Sequence, residues 1–443
     1  MSIHINSTSI PYEKRRLIQA DLTIKGASSY TPFGMKTATM KVYSSKDGVI
    51  SLPLSYALTS KLAPKPLIKH NIEKKIKFGF GDKVGSAALI GDQYSICKQV
   101  LEKLSKDRTV CLAAYTSFGK TVVANFLISR MKVRTLILAT KKNLLQQFEE
   151  TANDFTNLKC AMLKSKQIEL DPDVDVYLST PQTASSTKVL DKFGCVMVDE
   201  AHEVPRKTYV ECLLAASCGY LIFLSATPKL RSDGLTGVIH SFAGKTFIEI
   251  EDKRPYIVQP VLSNISSNQP TYELCMKELS LNSDVTTLTL DLVESLVLDH
   301  GRCVMVIFHL AEDGAEPFYD AIQDRVDIIS DLYYKDDKEY NKDCDVLVTT
   351  IAKGGTGFNF PRLDSIVLMS SGKSKLSYTQ MLGRIKRDKK NRKIPIAFDM
   401  VHNQRNCKNH WGVRKAMYKE DDCASLLEPI NLQSSVEQVQ LIL

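Results

Sequence analysis

The chain has 443 residues, room for two or three domains of ordinary size. Hydrophobic residues make up 44% and charged residues 24%, the balance of a globular protein, and no apolar run approaches the roughly 18 residues that a membrane-spanning helix needs. The net charge of +8 is uneven: residues 1–90 carry 14 Lys/Arg against 5 Asp/Glu, and the rest is nearly neutral, so a contact with a polyanion would belong to the amino-terminal segment. Met1 to Arg16 is polar and then basic, without the apolar stretch of a secretory signal. The 11 cysteines hold no C-x-x-C pair and read as reduced thiols, so the expected setting is cytoplasmic.

In chain order, residues 1–85 read as a small, basic, β-rich module. Leu22 and Ile24, then Met40 and Val42, alternate with polar neighbours, and Asp47-Gly48 is a hairpin turn signal before Ile50, Leu52 and Leu54. A lysine-rich connector follows, Lys61 to Lys77. From residue 86 the rhythm changes to short apolar runs separated by helical patterns: Val110 to Ala113, Thr135 to Leu138, Val174 to Leu178, Cys195 to Val198 and Tyr220 to Leu224. Continuous apolar strands alternating with helices mark a parallel sheet covered on both faces. The rhythm lapses near 256–285, read as a linker, and resumes over 286–443 with Cys303 to Phe308, Asp345 to Val348, Ser365 to Met369 and Ile394 to Phe398. The expected fold is α/β, with one such lobe over 86–255, a second over 286–443, and the β-rich module in front.

The strand ends carry the chemistry. Val110 to Ala113 runs into Ala114-Tyr115-Thr116-Ser117-Phe118-Gly119-Lys120-Thr121 and then a helix. In this strand–loop–helix setting the amides around Thr116, Ser117, Phe118 and Gly119 would cradle phosphates, Lys120 would neutralise them, and the Thr121 hydroxyl would hold Mg²⁺. Ala114 stands where that motif has its first glycine, which requires that its φ not be positive. Cys195 to Val198 ends in Asp199-Glu200-Ala201-His202. Asp199, at the tip of a buried strand, would hold Mg²⁺; Glu200 would orient and deprotonate a water; His202 would link this site to the second lobe.

At this point the sequence resembles the superfamily 2 helicases of the DEAH/DExH type, over roughly residues 90–415, which implies that the two lobes are tandem RecA-like lobes. Ser225-Ala226-Thr227 is similar to the string that couples hydrolysis to nucleic-acid binding, which implies that role for Ser225 and Thr227. Thr140 and Lys141, and Thr180 further on, resemble contacts to the nucleic-acid backbone, fitting because positioning contacts go to phosphates. Gln93, in Asp92-Gln93-Tyr94, resembles a glutamine that reads adenine. Thr350-Ile351-Ala352-Lys353-Gly354-Gly355-Thr356-Gly357 is similar to the loop that touches both ATP and backbone, placing Thr350, Lys353 and Gly354 on nucleic acid and Gly357 on nucleotide. Gln380, Gly383, Arg384 and Arg387 share one helix face by spacing. The Q-x-x-G-R-x-x-R string implies Arg387 as the finger on the γ-phosphate, with Arg384 and Gln380 beside it. The string Thr227-Pro228-Lys229 through Asp233-Gly234, with the short second-lobe motifs, is most like phage UvsW-type branch-migration helicases and poxvirus transcript-release helicases. The resemblance implies ATP and Mg²⁺ as cofactors and branched or duplex DNA as the partner, with an RNA motor of the same core or an inactive nucleic-acid-binding scaffold as the alternatives; no membrane contact is expected, the oligomeric state is left open with a monomer favoured, and a phage-encoded chain would act in the host cytoplasm.

Overall fold

At its amino end the chain builds β1 (Ser2–Asn6), α1 (Tyr12–Asp21), a hairpin of β2 (Thr23–Thr31) and β3 (Gly34–Lys41), then β4 (Ser44–Lys46), β5 (Val49–Pro53) and α2 (Leu54–Thr59). The computed structural model describes residues 2–443 except 32–33, 229–232, 336, 338, 355–359, 370–371, 387–392, 435–436 and 438–443, with the backbone alone for 29–31 and 34–36. β1, β5 and β4 form an antiparallel sheet. Asp47 and Gly48, at φ +50° and +76°, make the turn between β4 and β5 that their residue types suggested. Helix α1 was not foreseen: of its ten residues only Ile18 is buried, so it leaves almost no apolar stripe to read.

The chain divides into two compact units, Met1–Glu251 and Asp252–Leu443. Residues 1–85 thus belong to the first unit. Ile18, Leu22, Val42, Ile50 and Leu52 share one hydrophobic core with Tyr209, Leu213, Val238 and Phe242.

The lysine-rich connector is a strap across the amino ends of the first large sheet. His70 accepts the Arg134 N–H at 2.8 Å, Ile72 donates to Lys132 O at 2.8 Å, and the Lys74 ammonium meets the Asp175 carboxylate. Gly194 lets the strap pass, because a Cβ there would lie 2.4 Å from Lys69 O. A two-residue-stranded hairpin, β6 (Gly79–Phe80) and β7 (Lys83–Val84), follows.

The first lobe then runs α3 (Gln93–Asp107), β8 (Thr109–Ala114), α4 (Lys120–Met131), β9 (Thr135–Leu138), α5 (Lys142–Phe155), β10 (Cys160–Met162), β11 (Val176–Ser179), α6 (Pro181–Ser185), β12 (Cys195–Val198), α7 (Lys207–Ala215), β13 (Tyr220–Ser225), α8 (Thr236–Ala243) and β14 (Ile248–Ile250). The sheet order is β10-β11-β9-β12-β13-β8-β14, parallel at every pairing. Strands β8, β9, β11 and β12 are buried at every residue, as sheets covered on both faces require.

The second unit repeats the plan: β15 (Tyr256–Ser263), α9 (Tyr272–Ser280), α10 (Ser283–Leu298), β16 (Val304–Phe308), α11 (Glu316–Ile322), β17 (Ser330–Tyr333), β18 (Val346–Thr350), α12 (Ile351–Gly354), β19 (Ser365–Leu368), α13 (Lys375–Ile385), β20 (Ile396–His402), α14 (Arg405–Glu420), β21 (Ala424–Leu426) and β22 (Ile430–Asn431). Its sheet order is β17-β18-β16-β19-β20-β15-β21, again all parallel, with β22 also on β15. These are two RecA-like lobes, as the sequence suggested.

The segment expected to be a linker, 256–285, instead supplies β15, α9 and the start of α10. Pro260 interrupts β15 where it does no harm: β21 pairs only Tyr256 to Val258, and β22 only Val261 and Leu262. The buried Gln259 fills that gap by donating its amide to Glu428 O at 2.9 Å. Among the described residues no helix is long and apolar enough to cross a membrane.

Candidate functional site

In a parallel sheet every strand delivers its next residue to the same edge, so the carboxyl ends of β8, β9, β11, β12 and β13 gather their loops along one rim. The phosphate-type loop leaves β8 there. Ala114 is its last extended residue and is not among the positive-φ positions, which is why a Cβ is tolerated where the motif has glycine. The left-handed turns fall instead on Ser117 (φ +73°) and Gly119 (φ +85°). Phe118 is buried and packs edge-on against Tyr115 at 5.3 Å, and Thr116 is half-buried. Gly119 caps α4, with Lys120 and Thr121 in the first turn. The Lys120 ammonium lies back over its own loop, donating to Ala114 O at 3.1 Å and Tyr115 O at 3.4 Å.

Gln93 is placed differently from the adenine contact expected of it. It is buried, its Nε2 donates to Phe118 O at 2.7 Å, and its Oε1 accepts the Ile90 N–H at 2.9 Å. Both ends of the amide thus fasten the loop to the start of α3. A Cβ on Gly119 would stand 2.6 Å from that same Nε2. Gly119→Ala is therefore expected to expel the Gln93 amide and strain the turn by roughly 1–3 kcal/mol. Nucleotide titration should show ATP affinity down about ten-fold or more, since about 1.4 kcal/mol is a factor of ten.

Two strands away, Asp199 and Glu200 follow β12. Asp199 Oδ1 accepts the Glu200 N–H at 2.9 Å, and Glu200 holds a left-handed backbone at φ +50°. Burial and the Glu200 charge push the Asp199 carboxyl up to about 6, while Lys120, the Glu200 N–H and His202 pull the other way. The phosphate-loop lysine thus favours the ionised form of Asp199. A buried carboxylate that is costly to ionise fits an oxygen-ligand cation such as Mg²⁺, with the Thr121 hydroxyl, in the first turn of α4, the matching donor.

His202 is buried in the turn that follows. Its Nδ1 is 3.2 Å from Glu200 Oε2 and 3.4 Å from Ser225 Oγ, and its Nε2 is 3.4 Å from Glu203 Oε1. Burial alone would lower this imidazole, but the two carboxylates outweigh it and raise it to about 9, so it stands charged between them. Glu203, which also pairs with Arg206, is a residue that the sequence reading missed. Ser225 Oγ accepts the Thr227 N–H at 3.2 Å, and the buried Thr227 hydroxyl has no partner among the described residues. His202, Ser225 and Thr227 are thus one connected group.

The expected backbone contacts vary. Thr140 is half-buried and Lys141 exposed, at the end of β9. The Thr180 hydroxyl caps α6, accepting the Thr183 N–H at 3.3 Å. In the second unit Thr350 ends β18, and the Lys353 ammonium binds Lys335 O at 2.7 Å and Asp337 O at 2.9 Å over the Tyr333 ring. Gly354 packs against Thr349, and Gly357 lies outside the described residues. On α13, Gln380 is buried with its amide nitrogen unpartnered among the described residues, Gly383 is buried, and Arg384 is half-buried. The helix ends at Ile385, and Arg387 lies outside the described residues.

The two parallel-sheet lobes and the residues at their strand ends are similar to those of superfamily 2 helicases. Residues 87–230 match the family described as type III restriction enzyme, res subunit. The chain is 26% identical over 364 residues to "Putative helicase 161L" of Invertebrate iridescent virus 6, covering 74% of this chain and 80% of that one. It is 24% identical over 311 residues to transcript termination protein A18 of Fowlpox virus, covering 61% and 65%. Among solved structures, S. cerevisiae Dbp5 bound to RNA and ADP BeF3 superposes with a TM-score of 0.55 at 15% identity, over 78% of this chain and 92% of that one.

Proposed function

We propose that the chain is a nucleic-acid-dependent ATPase that unwinds or branch-migrates DNA. One observation carries the ATPase half: the loop that ends in Lys120 leaves β8, and the Asp199–Glu200 pair leaves β12, at the same carboxyl-end rim of one parallel sheet. In this reading the loop amides and Lys120 bind the phosphates, Asp199 and Thr121 hold Mg²⁺, Glu200 takes the proton of the attacking water, and Gln93 fixes the loop. When bound, Mg²⁺ neutralises phosphate charge. The charged His202 ties Glu200 to Ser225, a route by which nucleic-acid grip could reach the base. Arg384, Arg387 and Gln380 of the second lobe act on the nucleotide, by the same resemblance that assigns Thr140, Lys141, Thr180, Thr350, Lys353 and Gly354 to the nucleic-acid backbone.

The preference for branched DNA rests on the likeness of the motifs to the branch-migration helicases. Similarity to a transcript termination protein favours a second reading, a motor that releases RNA. Turnover measured with blunt duplex, forked DNA, Holliday junctions, R-loops and single-stranded RNA separates the two. The greatest stimulation by forks or junctions is the expected result, and stimulation by RNA alone would reverse the choice. Lys120→Ala should lower turnover on every substrate by at least about 10²-fold, the scale of losing one stabilising group for developing charge. Normal turnover in that variant would end the ATPase reading.

A further inference from the structure

The basic residues of the first 90 divide between two places. The connector lysines follow the strap along the amino ends of the sheet, away from the rim that carries Lys120 and Glu200. The β2–β3 hairpin belongs elsewhere. Its register pairs Thr23 with Lys41, Ile24 with Met40 and Lys25 with Thr39, and a bulge separates Lys25 from Ser28. One face sets Ile24, Ala38 and Met40 against the core. The other presents Lys25, Thr37, Thr39 and Lys41, all exposed. From Thr23 to Lys41 there are three lysines and no acid. A strand pair with an apolar inner face and an outer face of lysines and hydroxyls suits a sugar-phosphate backbone.

The base of this hairpin is seated on the segment that follows Ser225-Ala226-Thr227. Ala27 donates its N–H to Asp233 O at 2.7 Å. A Cβ on Gly26 would fall 2.1 Å from that same oxygen, so only glycine permits the approach. Gly234, at φ +71°, would bring a Cβ within 2.9 Å of Ala27 N, and a Cβ on Gly237 would meet Ile24 at 3.1 Å. Asp233 to Thr236 leads directly into α8. That helix packs on β8, which carries the phosphate loop, and on the Ala201–Glu203 turn, which carries His202.

We propose that the β2–β3 hairpin is a nucleic-acid-gripping arm whose engagement is relayed to the hydrolytic site through the Gly26–Asp233 joint and α8. The arm binds the backbone of a duplex through Lys25 and Lys41, and displacement at the joint moves α8 against the turn that holds His202 and Glu200. This rests on the ATPase reading above and adds to it the element that senses the duplex.

Two variants of the full chain test it, with a short blunt DNA duplex as the probe. Lys25→Glu/Lys41→Glu should weaken duplex binding, and the slope of log affinity against log salt should fall by about 1–2, as expected for one or two lost phosphate contacts. Gly26→Ala should bind the duplex within about two-fold of the parent and keep its duplex-free turnover. It should lose duplex stimulation of turnover by at least about five-fold, the low end of ordinary coupling between sites. Unchanged affinity and salt slope in the lysine variant would remove the arm. Undiminished stimulation in Gly26→Ala would remove the joint, and so would an equal fall in stimulated and duplex-free turnover, which marks a general defect. A parent chain with no ATP turnover would instead overturn the ATPase reading, an outcome distinct from all of these.

Discussion

Glu200→Gln is expected to bind ATP as the parent does and to turn it over about 10²–10⁴-fold more slowly, the range lost when a positioned general base is removed. The substitution keeps shape and hydrogen-bonding reach, so the left-handed turn at Glu200 and the contact 3.2 Å from His202 Nδ1 can persist. What it removes is the capacity to accept a proton. Two electrostatic consequences follow. His202 loses one of the two carboxylates that hold it at about 9, so its imidazole falls toward its ordinary value. Asp199 loses the neighbouring charge that, after burial, most raises its carboxyl, so it ionises more readily. Cation binding at Asp199 should therefore be kept or strengthened, and the variant should accumulate as an ATP complex. Single-turnover kinetics beside a nucleotide-binding titration checks both halves, and unchanged turnover would take Glu200 out of the mechanism.

What could be read beforehand followed from chemistry that repeats locally. Strands β9 and β12 match their apolar runs to the residue, because a buried parallel strand has no polar interruption to blur its ends. The positions of Lys120, Asp199 and Glu200 on the rim were legible because Asp199 and Glu200 directly follow β12 and Lys120 opens the helix after the β8 loop. β15 was illegible because Gln259-Pro260 breaks the run, and only the gap between β21 and β22 makes a proline acceptable there. Gln93 was seen, but its task could not be: a glutamine opening a helix looks the same whether it faces a base or the Phe118 carbonyl. Glu203 escaped notice because its bond to His202 is made by a single turn, Ala201–Glu203, rather than by a recognisable spacing. Asp399 did leave a signal, as the only charge in the apolar run Ile396 to Val401. A carboxylate in such a strand needs a buried cation, and which of the many downstream basic residues supplies it is a matter of how α14 packs.

That cation is Arg414, and removing it should be the most damaging single change in the second unit. Asp399 and Arg414 are among the most buried residues of the chain, at 0% and 1% exposure. The guanidinium grips both carboxylate oxygens at 2.7 and 2.8 Å and donates a third bond to Gly372 O at 2.7 Å, while the Tyr418 hydroxyl donates to Asp399 at 2.9 Å. Arg414→Ala strands a carboxylate where water cannot reach it, which should cost about 3–5 kcal/mol. Trp411, the only tryptophan, lies 5.8 Å from the guanidinium, so its fluorescence in urea reports this unit's unfolding without the other's. Arg414→Met/Asp399→Leu should recover most of the loss, because replacing a whole buried pair with apolar side chains is often neutral. Turnover in the double variant then carries separate information. Gly372 also donates its N–H to the Tyr378 hydroxyl at 3.0 Å, so the Arg414 bond helps to set the entry into α13, the helix of Gln380 and Arg384. A double variant restored in stability but slow with ATP would mean that the pair orients that helix, and one restored in both would mean that it only holds the lobe together.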